Sequence, residues 1–275
     1  MDEVEKANES LNATLPEAAR KPSTVAPAWH TVLLVAFILV VSIAGAYRHG
    51  VPSAGRVHRV QTYAVTGVLE LALVGWVAFG LRLRKIPLRS LFGNMAGDFR
   101  SIVLDAGIAF VFWIGSMMAL GTVALFWLGV EMAITHRSLP VHAGKPFAPG
   151  PTEEHSVRAV LQLAPSNGTE IACWILVCLL VGVAEELVFR GYLQKQFTAW
   201  TRGTAAMGVA LSAITFGAGH GWEGIRSMFL LALFGAFFSL LALLRKSLRA
   251  GMFAHAWHDV FAGLMISFLH ARHVL

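Results

Sequence analysis

Charged residues are scarce in this chain. They make up 14% of its 275 residues, where soluble domains carry about 25%. Apolar residues account for 56% and the mean hydropathy is +0.63. A balance of this kind excludes an ordinary soluble domain and indicates an integral membrane protein. Cysteine is nearly absent: Cys173 and Cys178 stand five apart in one apolar stretch, a spacing that gives neither a disulfide nor a metal pair. They read as small buried residues, and the redox compartment is not legible. No internal repeat and no second soluble domain is discernible. The net charge of +6 would suit a nucleic-acid binder, but the basic residues fall between the apolar runs. They read as loop charges that set membrane topology, and no nucleic-acid partner is expected.

Crossing a bilayer as a helix takes about 20 apolar residues. Candidate spans lie at about 30–47, 61–81, 104–130, 171–197, 204–221, 225–244 and 252–270. The expected fold is an all-α polytopic bundle of about seven, or eight, transmembrane helices in contact with the lipid bilayer. Residues 1–28 read as a polar, mobile N-terminal tail and 29–275 as the membrane domain. The tail, with Lys6, Arg20 and Lys21, lacks the layout of a cleaved signal peptide, so the first apolar run reads as an anchor. Pro140, Pro146, Pro149, Pro151 and Pro165 break up a long loop at 136–168, within which Glu153 to Leu163 suits a short helix on the membrane surface. Triplets beginning at Asn12 and Asn167 match the glycosylation pattern, which arises often by chance. The excess of Lys and Arg on alternate loops favours a cytoplasmic N-terminus, with Arg48, Arg56 and Arg59 counting against it.

Within this apolar background, two adjacent acids stand out. Glu185 and Glu186 follow the run Ile171–Ala184, and a carboxylate at membrane depth costs roughly 2.5–3.5 kcal/mol even on lenient scales. Glu186 and Arg190 are four apart and share a helical face, about 40° from each other. Glu185 points elsewhere, about 140° from Arg190. The economical reading is that Arg190 neutralises and positions Glu186 while Glu185 faces the reaction space. The plain alternative is a purely structural clamp between helices.

Two further polar sites occupy later apolar stretches. His220 sits among Gly217, Gly219 and Gly221, which let another backbone approach closely. Alone it would be an ordinary satisfied histidine. His255 and Asp259 are four apart on one helical face, and His258, about 60° away, either lines the same cavity or faces lipid headgroups. His270 and His273 read as interfacial residues. Glu70 and Asp105 lie within a few turns of a helix end and read as acids that reach water.

Glu185-Glu186-x-x-x-Arg190, Phe216-x-x-x-His220 and His255-x-x-x-Asp259, in that order on successive hydrophobic segments, resemble the three motifs of the CAAX-protease and bacteriocin-processing (CPBP) family of intramembrane proteases. That family includes the type II CAAX prenyl endopeptidases. The resemblance covers about 165–272, the expected catalytic core. The basic run Leu81 to Lys85, leading to Leu91-Phe92-Gly93, is loosely similar to the loop before the family's core. The resemblance implies an intramembrane endopeptidase that hydrolyses a peptide bond at the membrane. Glu185 and His220 would then activate the attacking water, and His255 with Asp259 would stabilise the oxyanion. The implied substrate is a peptide or protein, prenylated or membrane-embedded, and the implied setting is a bacterial inner membrane.

Both a metal-free and a metal-assisted reaction are open at this point. An apolar pocket suits a carboxyl to accept a proton near neutrality. Equally, Glu185, His220, His255 and Asp259 are candidate ligands for Zn2+, which lowers the pKa of bound water to about 7. The zinc-protease pattern His-Glu-x-x-His is absent, so any metal site would be assembled across helices. Asp259 departs from the Asn common at the end of the third motif: an ionised Asp does not donate to an oxyanion, so it must be protonated, orient His255 or bind metal. Rival readings are a non-catalytic membrane scaffold or immunity-type protein, and an ion-coupled transporter that uses buried acids as relays.

Overall fold

The computed structural model describes residues 23–49, 58–95, 97–135 and 161–272. Most of the tail, residues 153–160 of the proposed surface helix, Asn12 and His273 lie outside the described residues. Among the described residues, eight α-helices follow one another: α1 (Ala28–His49), α2 (Arg59–Leu83), α3 (Phe99–Thr135), α4 (Gly168–Glu185), α5 (Gln194–Trp200), α6 (Ala205–Gly219), α7 (Ile225–Arg245) and α8 (Arg249–Ala271). Between α4 and α5 the chain continues as a π-helix, Glu186–Leu193. Among the described residues there is no β-strand, and an isolated bridge joins Gly93 to Ser247.

Among the described residues, six helical stretches are long and apolar enough to cross a membrane: α1, α2, α3, the continuous run from α4 through α5, α7 and α8. They mark the protein as an integral multi-pass membrane protein. Their outer faces carry exposed Val32, Val40, Leu71, Val111 and Phe126, the composition lipid contact requires. The seventh stretch expected from the sequence, 204–221, differs. It forms the 15-residue α6, about 22 Å long at 1.5 Å per residue against a hydrocarbon core of about 30 Å. The Gly217-Ala218-Gly219 sequence ends that helix and turns the chain at His220.

Close packing through small residues sets the helix positions. A Cβ on Gly182 of α4 would lie 2.8 Å from the Ala256 backbone nitrogen of α8, and one on Gly217 of α6 would overlap the Met228 carbonyl oxygen of α7. Gly182→Leu is therefore expected to wedge α4 from α8 and cost about 1–3 kcal/mol. A lowered midpoint of thermal unfolding in detergent would register it, and an unchanged midpoint would refute the close approach.

Buried polar groups pin the remaining helices. His30 of α1 donates from Nε2 to the Trp76 carbonyl of α2 (2.8 Å) and accepts at Nδ1 from the Tyr192 hydroxyl (2.8 Å). Gln196 takes hydrogen bonds from the amides of Val25 and Ala26 and donates to the Ala26 carbonyl. Asp105 does not reach water from its helix end, as the sequence suggested. It is 2% exposed and clamped between Arg245 (2.7 Å) and Arg249 (2.6 Å), which ties α3 to the α7–α8 connection. The two cysteines are free, Cys178 buried and Cys173 half-buried.

Candidate active site

The π-helix begins where the paired acids stand. All eight of its residues, Glu186 to Leu193, are buried, and π turns inside α-helices concentrate at functional positions. Glu186 and Arg190 form the expected ion pair, Nη1 to Oε1 at 2.9 Å, with both side chains fully enclosed. Arg190 also donates from Nη2 to the Gly235 carbonyl of α7 (3.2 Å). Its guanidinium lies 4.5 Å from the centre of the Phe216 ring and 5.1 Å from that of Phe238, a cation–π cage in place of solvent. Gly251 of α8 presents only backbone to Glu186, since a Cβ there would stand 2.8 Å from Oε2.

His255 links the two acids. Its Nδ1–H donates to Glu186 Oε1 (3.1 Å), while Nε2 faces Glu185 Oε2 at 3.4 Å and Asp259 Oδ2 at 3.8 Å. The histidine is thus held at one nitrogen and presented at the other. Side-chain exposure rises from 0% at Glu186 through 6% at His255 and 14% at Glu185 to 24% at Asp259. The cluster is closed at Glu186 and opens toward Asp259. On the same side, the Trp174 indole N–H donates to the Asp259 carbonyl (3.2 Å) and fixes α8 against α4.

His220 caps α6. Its Nδ1–H donates to the Phe216 carbonyl one turn earlier (2.8 Å), which leaves Nε2 with the lone pair. The Phe216 ring lies 4.8 Å from the His220 ring and 6.0 Å from His255, so motif 2 packs directly on motif 3. His258 packs among aromatic side chains of α7 and α3. It stacks edge-on with Phe234 of α7 at 4.9 Å and accepts at Nδ1 from the Trp113 indole of α3 (3.4 Å). His270 is exposed.

Residues 167–261 match the sequence model of the family described as Type II CAAX prenyl endopeptidase Rce1-like. This segment belongs to that Rce1-like family. The match spans about a third of the chain and contains all three motifs, from Glu185 to Asp259. The Rce1-like family is one of membrane proteases, so the segment that carries the paired acids is of protease type. No curated protein and no solved structure matches the chain.

Glu223 escaped the sequence reading, and Glu70 stands elsewhere than that reading put it. Glu70 on α2 is 8% exposed rather than water-reaching, and it is within electrostatic range of Glu185, His255 and Asp259. Glu223, in the short 3-10 turn Gly221–Glu223 after His220, interacts with both His220 and Glu185. Burial pushes its carboxyl above the ordinary range, the Glu185 charge adds to that, and His220 opposes it. The signal for Glu70 was an acid in the middle of an apolar run, but only the pairing of α2 with α4 says what it faces.

Zn2+ is not a fit to the donors as arranged. Among the described residues, no group of three or more His, Cys, Asp or Glu side chains is placed to hold a metal ion. Each histidine has its Nδ1 engaged, His255 by Glu186 and His220 by the Phe216 carbonyl, and Glu185, His220, His255 and Asp259 as placed do not form such a group.

Proposed function

We propose that this chain is an intramembrane endopeptidase with Glu185 as the general base. Water attacks the scissile carbonyl carbon and gives its proton to the Glu185 carboxylate, with the His220 Nε2 lone pair orienting that water. Negative charge gathers on the carbonyl oxygen, toward which the Nε2–H of a protonated His255 donates. Collapse of the tetrahedral intermediate breaks the C–N bond, and Glu185 returns its proton to the leaving amine. Glu186 and Arg190 hold His255 in place, and Asp259 orients its ring. The substrate class is a peptide or protein that enters at the membrane, prenylated or membrane-embedded.

The observation that supports this reading best is the approach of His255 Nε2 to both Glu185 and Asp259 at the half-open end of an otherwise buried cluster. A scaffold gains nothing from leaving the buried Glu185 Oε2 without a hydrogen bond. The test is cleavage of a membrane-anchored peptide by the purified chain in lipid vesicles, with products identified by mass. His220→Ala is expected to lower the rate by about 10²-fold or more, and exhaustive chelation is expected to leave it unchanged. No product from the intact protein would sink the protease reading. Loss on chelation with recovery on added Zn2+ would replace the carboxylate-base chemistry with metal chemistry.

A further inference from the structure

The turn that presents His220 is held from outside the family-matched segment 167–261. Helix α6 ends at Gly219 and a 3-10 turn begins at Gly221, so backbone groups on both sides of His220 need partners from elsewhere. The Phe216 carbonyl accepts from the His220 Nδ1–H, and the Gly217 carbonyl accepts from the His220 amide. Ser42 of α1 serves two of the others. Its hydroxyl donates to the Ala218 carbonyl (2.6 Å) and accepts from the Gly221 amide (2.8 Å). One side chain, 3% exposed, thus ties the chain just before His220 to the chain just after it. Its neighbours on α1 seat the same turn, since Ile38, Ser42 and Gly45 share one helical face at i, i+4 and i+7. A Cβ on Gly219 would stand 3.2 Å from Ile38, and one on Gly221 only 2.6 Å from Ser42 Oγ. A Cβ on Gly45 would stand 3.3 Å from Trp222.

The Nδ1 bond of His220 fixes its ring relative to α6 alone. Where the Nε2 lone pair points within the cluster depends on the backbone of 218–221, the segment that Ser42 holds. We propose that Ser42 is a positioning residue which, from α1, sets the His220 turn so that Nε2 meets the attacking water. This assignment rests on the reading of His220 as the group that orients that water. Without the hydroxyl, the Ala218 carbonyl and the Gly221 amide lose their partner against an apolar helix face, and the turn gains by shifting to find another. A misplacement of about 1 Å in catalytic geometry costs up to about 10²-fold in rate. The first transmembrane helix is then part of what makes the site competent, although it carries none of the three motifs.

The test compares Ser42→Ala with Thr31→Val, which removes a hydroxyl of the same helix that bonds to the Tyr192 hydroxyl (2.8 Å) rather than to the turn. Two quantities are read on each protein in lipid vesicles. One is kcat and KM for a membrane-anchored peptide; the other is amide hydrogen exchange across 217–224 without substrate. Ser42→Ala is expected to exchange about 5- to 10-fold faster at Gly221 and to lose about 10-fold or more in kcat with KM unchanged. Thr31→Val is expected to match wild type in both. Wild-type exchange in Ser42→Ala would show that Ser42 does not hold the turn and would overturn the proposal. Faster exchange with a wild-type kcat, or an equal loss of kcat in Thr31→Val, would overturn it as well. Ser42→Cys, whose thiol keeps the volume and bonds weakly, replaces Ser42→Ala if the latter is not recovered folded. Absence of product from the wild-type protein would sink the protease reading and the catalytic role of Ser42 with it, whereas the exchange result reports on the turn by itself.

Discussion

Glu185→Gln is expected to lower peptide cleavage by about 10²–10⁴-fold, the contribution typical of a positioned general base, while the thermal midpoint stays at the wild-type value. The substitution keeps the shape of the side chain and removes only its ability to take a proton. Stability should be indifferent because Glu185 is not the partner of Arg190; that partner is Glu186, at 2.9 Å. Glu185 faces His255 at 3.4 Å, which Glu186 anchors through its other nitrogen. Initial rates in vesicles and melting in detergent, measured on one preparation, check both halves. A variant that cleaves at the wild-type rate would remove Glu185 from the mechanism.

Glu186→Ala should behave oppositely, with its main effect on folding. It strands a guanidinium that is 2% exposed and ringed by Phe189, Phe216 and Phe238. Breaking one side of a buried ion pair costs about 3–5 kcal/mol, enough to remove most of the folded population of a marginally stable protein. Replacing both members with apolar residues of similar volume is often close to neutral. Glu186→Leu with Arg190→Met should therefore recover much of the stability that Glu186→Ala loses. It should not recover cleavage, because His255 still lacks the acceptor for Nδ1. Yield and melting temperature for the single and double variants, read with the cleavage rate, separate the two roles. A Glu186→Ala protein that melts with wild type would show that Arg190 finds another counterion.

The four-residue spacing of Glu186 and Arg190 was enough to name their pairing, because an i,i+4 contact depends on local geometry alone. The order of the three motifs likewise identified the helices that meet at the site. Other features were not local. His255 could be paired with Asp259 on its own helix, but its hydrogen bond to Glu186 crosses from α8 to the π segment. Hydropathy marked Glu70 and Asp105 as acids in apolar helices without saying what lay opposite, and the two went different ways. Asp105 met two arginines, while Glu70 met more acids. Stretch 204–221 looked like another span because composition does not register where glycines end a helix. The π-helix had no sequence signal, since its hydrogen-bond pattern is set by what packs around it.

That π-helix also fixes a count. Each i→i+5 turn takes up more chain than an α turn without breaking the rod, so it offsets the two halves of the Gly168–Trp200 span in phase. Upstream, Trp174, Val177 and Cys178 keep their seats around Tyr63. Downstream, Gln196 meets the backbone of Val25 and Ala26 just ahead of α1. Losing one residue from 186–193 with the i→i+5 pattern kept would turn and shift one half against the other. Either Glu185 would swing away from His255, or Gln196 would release the start of α1. The length of this stretch is therefore itself a constraint on the protein, separate from the identity of any side chain within it.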